Sequence, residues 1–231
     1  MPRAATPPIV RVVEALLAHY GEIHDATPTA PFAMLVYECA CYLVDDDRRA
    51  KVFAALDREV GVDPESLTLA TDRVLLRVLE PGGMLVAHRL EKVRKAAALA
   101  REIGLDTLAR AIVEAPKRAR TLLKKFPNIG DPGADKILLF NGAAKTLALD
   151  SNGLRVVCRL GLVDEDRDYG KTYRAAQRAL DDPLPDDRAW LVRAHRLLRH
   201  HGRELCKRSA PECGACPLRD GCKHAAETAG S

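Results

Sequence analysis

The chain has 231 residues, 47% of them hydrophobic, and a formal net charge of +4, so it is long enough to bury the core of one large domain or two small ones. No apolar run reaches membrane-spanning length, and the first twenty residues lack the continuous apolar segment of a secretory signal. We therefore expect a reducing, cytoplasmic and nucleoid-associated location, where clustered cysteines hold metal more often than they form disulfides.

Apolar residues recur at spacings of three and four through nearly the whole chain, which predicts an all-α protein. Alternating strand patterns are absent from the sequence. Asp63-Pro64 and Asp131-Pro132 predict helix starts, with the carboxylate as N-cap and proline at the first helical position. The predicted breaks between helices fall at Gly21, Gly61, Pro81 to Gly83, Gly104, Gly142 and Gly161.

The early helical segment "FAMLVYECACYLV", residues 32–44, contains one charged side chain, Glu38. This pattern predicts a helix that is buried all round, together with its carboxylate. Burial favours the protonated form of a carboxyl group, which makes Glu38 a candidate general acid near neutral pH. A structural ion pair with an Arg from another helix is the alternative.

A basic segment follows, because residues 84–145 carry thirteen Lys or Arg against six Asp or Glu. Such a zone in an otherwise near-neutral chain is typical of a surface that binds a polyanion, most often nucleic acid. Solvated helix faces would give the same count.

Within this segment, "FPNIGDPGADK", residues 126–136, separates a predicted helix over 117–126 from another over 132–141. A hairpin of this kind can present backbone N–H groups and a helix N-terminus to a phosphate. Gly130 is expected to supply the positive-φ position, which Asn128 also tolerates. An ordinary helix connection is the alternative, but the basic flank favours a DNA backbone contact. The predicted DNA-binding residues are Lys124, Lys125, Asn128, Ile129, Gly130, Gly133 and Lys136.

Four cysteines near the C-terminus, Cys206, Cys213, Cys216 and Cys222, lie within seventeen residues. Four thiolates so close in sequence can surround one metal centre, and the spacing leaves a [4Fe–4S] cluster and zinc both open. The other cysteines, at 39, 41 and 158, lie in apolar helical patterns and are expected in the core.

The hairpin, the aspartate in "LALDSNGLRVVCRLG" and the segment "HHGRELC" leading into the cysteine spacing resemble the endonuclease III and adenine DNA glycosylase superfamily. The resemblance runs from about residue 31 to 222. It implies a two-lobed, all-α helix-hairpin-helix DNA glycosylase fold with a C-terminal four-cysteine iron–sulfur loop. One lobe would span 32–142 and hold the hairpin. The other would join 1–31 to 143–231 and hold a mainly structural [4Fe–4S] cluster in the loop 206–222.

The resemblance also implies roles for three residues. Asp150 matches the catalytic aspartate that stabilises positive charge on the sugar as the base departs, although its local sequence equally predicts an N-cap for a helix beginning at Ser151. Asn152 matches the amide that orients this aspartate in the adenine glycosylase branch. Glu38 matches the acid that protonates the leaving base there, and we expect it to act as a general acid or to activate the attacking water.

This sequence departs from the superfamily pattern at three places. Pro132 stands where bifunctional members have the lysine that forms a Schiff base with the sugar, and Lys136 lies one helical turn later on roughly the same face. The segment 43–47, "LVDDD", replaces the polar residues that fill the gap in the duplex. Nine residues follow Cys222, so we expect no added domain for reading the opposite base.

The sequence thus predicts a mainly monofunctional hydrolase that flips a damaged or mismatched base out of double-stranded DNA and cleaves its N-glycosidic bond. We expect it to act as a monomer. One alternative is a bifunctional glycosylase and AP lyase that uses Lys136 or Lys145. Another is a non-catalytic DNA-binding protein whose cysteines hold zinc.

Overall fold

A computed structural model describes residues 8–181 and 184–229, and within these ranges it contains helices and no β-strand. This confirms the predicted all-α class. None of the described helices combines the length and apolarity needed to span a membrane. The α-helices are α1 (Pro8–Tyr20), α2 (Pro31–Ala40), α3 (Asp46–Glu59), α4 (Pro64–Leu69), α5 (Asp72–Leu79), α6 (Val86–Ile103), α7 (Leu105–Glu114), α8 (Pro116–Leu123), α9 (Asp131–Phe140), α10 (Ser151–Arg159), α11 (Tyr169–Asp181), α12 (Arg188–Glu204) and α13 (Lys223–Ala229), with short 3₁₀ helices at Glu80–Gly82, Cys213–Ala215 and Arg219–Gly221.

Contacts divide the chain into two compact units. The hairpin unit is Asp25–Ala144 and contains α2 to α9. The cysteine unit joins the chain before Asp25 to the chain from Lys145 onwards, and contains α1 and α10 to α13.

In the hairpin unit, α6 packs against α2, α4 and α5. The apolar residues that meet there, among them Leu35, Leu75 and Val93, are completely buried. Burying a side chain of this size stabilises the fold by roughly 1.5–3 kcal/mol. The hairpin helices α8 and α9 pack against each other.

Arg89 of α6 is a buried cation, 2% exposed, that ties two loops of the hairpin unit together. Its guanidinium donates to the carbonyls of Ala40 and Leu79 at 2.7 and 2.6 Å. It also donates to three carbonyls of the segment that enters α6, those of Glu80, Gly83 and Met84. These bonds offset the cost of burying the charge.

In the cysteine unit, α12 packs against α10 and α1. Gly202 allows the close approach of α12 to α10, because a Cβ there would lie 2.6 Å from the carbonyl oxygen of Asn152. A larger residue at position 202 would therefore push α12, which leads into Cys206, away from α10, which carries Asn152.

The predicted breaks between helices are confirmed, since α1, α3, α6 and α10 each end within two residues of a positive-φ glycine. The cap at Asp63 is also confirmed. Its carboxylate accepts from the backbone N–H groups of Glu65 and Ser66 at 3.0 and 2.8 Å. The hairpin helices begin and end earlier than predicted, at Pro116–Leu123 and Asp131–Phe140. The first ends early because the N–H groups of Lys125 and Phe126 bond to the carbonyls three residues back, at 3.0 Å each, and so form a tighter turn.

Candidate functional site

The turn between α8 and α9 is shaped by Asn128, which adopts φ 63°. Its side-chain amide donates to the carbonyl of Glu38 on α2 at 3.0 Å. Gly130 has φ −93° and ψ −166°, an extended conformation, so the prediction that Gly130 supplies the positive φ is wrong. Asn is among the few non-glycine residues that visit the left-handed region, and the bond to a residue ninety positions away holds it there.

Ile129 and Gly133 lie inside the hairpin. Ile129 is 6% exposed, and a Cβ on Gly133 would touch its side chain at 3.5 Å, an ordinary packing distance. Gly133 can therefore meet DNA through its backbone N–H group, whereas the Ile129 N–H donates to the Phe126 carbonyl at 3.2 Å and the Ile129 side chain packs in the core. Their predicted DNA-binding role stays a prediction.

Asp131 was predicted to cap α9, but the structure makes Gly130 the cap residue and Asp131 the first helical residue. The Asp131 carboxylate instead faces α8, where it contacts Lys124 and lies 3.1 Å from the Arg120 guanidinium. Arg120 also donates to Asp135 at 2.6 Å. The hairpin's own acids therefore offset part of the basic charge that flanks it, whereas Lys125 is exposed.

Glu38 lies on α2 with its side chain 25% exposed, so the prediction of a carboxylate buried on all sides is wrong. It forms an ion pair with Lys136 of α9, and its other oxygen lies 3.7 Å from the Arg49 guanidinium of α3. The alternative of an ion pair with an Arg from another helix is thus confirmed. The Arg49 guanidinium stacks over the Tyr37 ring, with its carbon 5.3 Å from the ring centroid.

Lys136 lies on α9 four residues after Pro132, with its side chain 15% exposed. Its ammonium is directed at Glu38. It is therefore not a solvated surface lysine. Its predicted DNA-binding and catalytic roles stay predictions.

Asp150 caps α10, as predicted from its local sequence. One carboxylate oxygen accepts from the backbone N–H groups of Asn152 and Gly153 at 3.0 and 2.8 Å. The other accepts from the Asn152 side-chain amide at 3.2 Å and lies 3.3 Å from the Arg199 guanidinium of α12. With 28% of its side chain exposed, Asp150 is a fixed negative charge open to a ligand. Lys145, the other lysine considered for lyase chemistry, pairs with exposed Asp186 at 2.6 Å.

Tyr169, at the start of α11, is a neutral phenol in the same unit. Burial, first, and the negative charge of Asp150, second, raise its pKa to about 12. The ring remains 46% exposed. Tyr169 can therefore donate a hydrogen bond or stack on an apolar face at any physiological pH.

The four C-terminal cysteines line one pocket of the cysteine unit, beside His201. Three polar groups approach their sulfur atoms: the Arg159 guanidinium at 3.4 Å from Cys206, the Leu218 N–H at 3.4 Å from Cys216, and the His201 imidazole at 3.5 Å from the Cys216 sulfur. N–H donors directed at sulfur suit thiolate ligands. Among the described residues, no three potential ligands lie close enough together to hold a single metal ion.

The remaining cysteines differ from these four. Cys39 and Cys41 are buried and Cys158 is partly buried. Burial raises the pKa of Cys39 to about 12 and that of Cys158 to about 11, so both are neutral thiols at physiological pH. The prediction that they pack as apolar residues is consistent with this burial.

The segment 43–47 is divided between a loop and a helix. Leu43 is 74% exposed at φ 56°, and Asp45 caps α3 through the Arg48 N–H. Leu85, 60% exposed at φ 58°, lies in the neighbouring loop, which a bridge between Tyr42 and Gly83 holds in place. The two loops clamped by Arg89 therefore present the apolar side chains of Leu43 and Leu85, next to the exposed acids Asp45 and Asp47.

No protein-family model matches the chain. Endonuclease III of Rickettsia prowazekii (strain Madrid E) is 33% identical over 102 residues, which is 44% of this chain and 45% of the relative. The chain thus spans about half the length of the curated relatives it matches. A solved non-covalent endonuclease III–DNA complex is similar to the structure at a TM-score of 0.74 and 20% identity, covering 96% of this chain and 97% of the other.

The chain has the endonuclease III fold. A thermostable thymine-DNA glycosylase is similar at a TM-score of 0.72 and 14% identity, over 95% of this chain and 97% of its own. These comparisons confirm the predicted resemblance to the endonuclease III and adenine DNA glycosylase superfamily and its helix-hairpin-helix fold.

Within this endonuclease III fold, sequence reasoning missed the arginines that position the candidate site. Arg155 of α10 donates to the Asn152 side chain at 3.0 Å and to the Cys206 carbonyl at 2.9 Å, and so links the Asp150 cap to the cysteine loop. Gly202 lies in the last turn of α12, inside the helix, where glycine costs helix stability and signals close packing. Arg199 carries no such local signal, because its partner Asp150 is distant in sequence, and the same is true of the bond from Arg155 to Cys206.

Proposed function

We propose that this protein is a DNA base-excision glycosylase that flips a damaged or mismatched base out of double-stranded DNA and hydrolyses its N-glycosidic bond. The observation that carries the proposal is the Asp150 carboxylate. It is fixed by the N-terminus of α10, the Asn152 amide and Arg199, yet remains partly open to a ligand. A fixed anion of this kind suits a reaction in which positive charge develops on the sugar.

DNA binding is assigned to the hairpin of the hairpin unit. The turn from Asn128 to Gly133 leads into the N-terminus of α9, where backbone N–H groups favour a phosphate. Exposed basic side chains, including Lys117, Arg118 and Lys125, surround it. Leu43 and Leu85 add apolar surface that can pack against bases. Cytoplasmic, nucleoid-associated DNA is the expected target, and a monomer the expected form.

The catalytic assignments follow from chemistry. Asp150 stabilises the cation-like sugar, Asn152 orients Asp150, and Glu38 acts on the base or on the attacking water. Because Pro132 has no amine, it cannot form a Schiff base, and Lys136 is engaged with Glu38. The proposed enzyme is therefore mainly monofunctional and leaves the DNA strand intact.

The residues that would hold a [4Fe–4S] cluster are Cys206, Cys213, Cys216 and Cys222, which share one pocket. When bound, such a cluster supplies a cross-link that orders the C-terminal loop and no hydrolytic chemistry. Arg155 and Arg159 donate to the carbonyl of Cys206 and so fix the entry to this loop. Iron and acid-labile sulfide analysis tests the assignment, and zinc without iron would overturn it.

The function itself is tested by incubating the purified protein with duplexes that carry single damaged or mismatched bases, and by detecting released base and strand breaks separately. Release of base without strand breaks is the expected result. Breaks that accompany release, with a borohydride-trapped adduct, would instead establish the bifunctional alternative. DNA binding with no base release from any duplex would favour the non-catalytic alternative.

A further inference from the structure

The pairing of Glu38 with Lys136 determines what Glu38 can do chemically. The three side chains of this cluster, Glu38, Lys136 and Arg49, come from three different helices, and each is at most 25% exposed. Partial burial strengthens such a pair relative to one on the surface, because less water screens the charges.

The two thiols beside Glu38, Cys39 and Cys41, are uncharged at neutral pH. Burial raises the pKa of Cys39 to about 12, and it also raises the pKa of Cys41, with the charge of Glu38 contributing in both cases. Lys92 of α6 adds a further positive charge that acts on Cys39. The charged groups at Glu38 in these contacts are therefore cations, and cations favour the ionised carboxylate.

The pair is also tied to the hairpin. The Asn128 amide in the turn donates to the Glu38 carbonyl, while Lys136 on α9 engages its carboxylate. The backbone and the side chain of Glu38 are thus both held by residues of the proposed DNA-binding hairpin.

We propose that Lys136 is a positioning residue that keeps Glu38 ionised, so that Glu38 accepts a proton from the attacking water and does not protonate the leaving base. This inference rests on the proposed function. The water proton passes to the Glu38 carboxylate, the water oxygen bonds to C1′, and the bond from C1′ to the base breaks with its electron pair leaving on the base.

A consequence concerns the class of substrate. A base that departs with its electron pair must be stable as an anion, as uracil and thymine are because ring carbonyls delocalise the charge. Adenine departs readily only after its ring has been protonated. The enzyme should therefore release pyrimidines with such carbonyls from a duplex and act poorly on adenine, unlike the adenine glycosylase branch that Glu38 matches in sequence.

The test is the pH dependence of single-turnover base release by the full-length metal-loaded protein and its Lys136→Met and Lys136→Arg variants. Without the cation, Glu38 is protonated more easily, so the acidic limb of the plot of base-release rate against pH should move to higher pH. Base release on that limb should fall on the order of tenfold, for a shift of one pH unit. Lys136→Arg should restore the limb, because Arg keeps the charge. Lys51→Met, at an exposed position of α3, is the control and should leave the profile unchanged.

A second measurement does not depend on activity. ¹³C NMR titration of the Glu38 carboxyl, assigned with Glu38→Gln, should show protonation at higher pH in Lys136→Met and in Arg49→Met than in the unmutated protein. An unmoved titration, or an acidic limb unchanged by Lys136→Met, overturns the inference even where bases are released. Borohydride trapping that is lost in both Lys136 variants overturns it in favour of a lysine nucleophile. Unchanged NMR behaviour with no base release would instead reject both proposals together.

Discussion

The two candidate catalytic carboxylates are held by different kinds of contact. Asp150 is held by groups within three residues of it in sequence, namely the N–H groups of Asn152 and Gly153 and the Asn152 amide, with Arg199 added from α12. Glu38 is held by charged side chains, Lys136 and Arg49, that lie far from it in sequence. Both kinds of contact favour the ionised carboxylate, but those of Asp150 come mainly from its own helix and those of Glu38 from other helices.

The largest expected effect tests the charge of Asp150. Asp150→Asn removes the negative charge but keeps a good N-cap residue, so the free energy of unfolding should change little. Base release should fall on the order of 10²–10³-fold, as when one preorganised electrostatic group is lost from an active site. Single-turnover kinetics and thermal melting measure the two quantities.

The matched control is Asp63→Asn at the cap of α4, which repeats the same backbone contacts in the hairpin unit. It should leave both quantities unchanged. An equal loss of activity in the two variants would show that Asp150 acts as a cap alone.

The next effect tests the chemistry of Glu38. Glu38→Gln removes the proton acceptor while keeping the size of the side chain, and should slow base release on the order of 10²-fold. DNA affinity, measured by fluorescence anisotropy, should not fall. A loss of affinity that accounts for the whole change would instead identify Glu38 as part of the binding surface.

A packing change should disturb Asp150 and leave Glu38 untouched. Gly202→Ala places a Cβ 2.6 Å from the Asn152 carbonyl, and such overpacking costs about 1–3 kcal/mol of stability. The melting temperature should fall by several degrees, since each kcal/mol lost from the free energy of unfolding lowers it by about 2–4 °C for a chain of this size. Gly214→Ala, with nothing within 4 Å of the new Cβ, is the control and should melt normally.

The smallest expected effect concerns the hairpin charge. Asp131→Asn removes the carboxylate that faces Lys124 and Arg120, and so leaves both cations more available to a phosphate. Affinity for undamaged duplex should rise several-fold at low salt and depend more steeply on salt concentration. Asp72→Asn, which removes the partner of Arg94 elsewhere in the same unit, is the control.

The same contrast explains how far the sequence could predict the structure. The Asp150 cap and the breaks at glycines follow from neighbouring residues, and sequence reasoning found them. Asn128 takes the positive φ expected of Gly130 because its amide reaches Glu38, and Asp131 pairs with α8 instead of capping α9. Glu38 was expected to be buried because its α2 neighbours are apolar. Lys136 and Arg49, which contact its carboxylate, lie on other helices, so the sequence around Glu38 does not indicate them.

The most direct test of the central claim is release of free base from duplexes with single lesions or mismatches, measured for the metal-loaded protein beside its Asp150→Asn variant. We expect at least one duplex to lose its base, with the strand intact until alkali is added and with release nearly abolished in the variant. Absence of base release from every duplex by a folded, iron-containing protein would contradict the account.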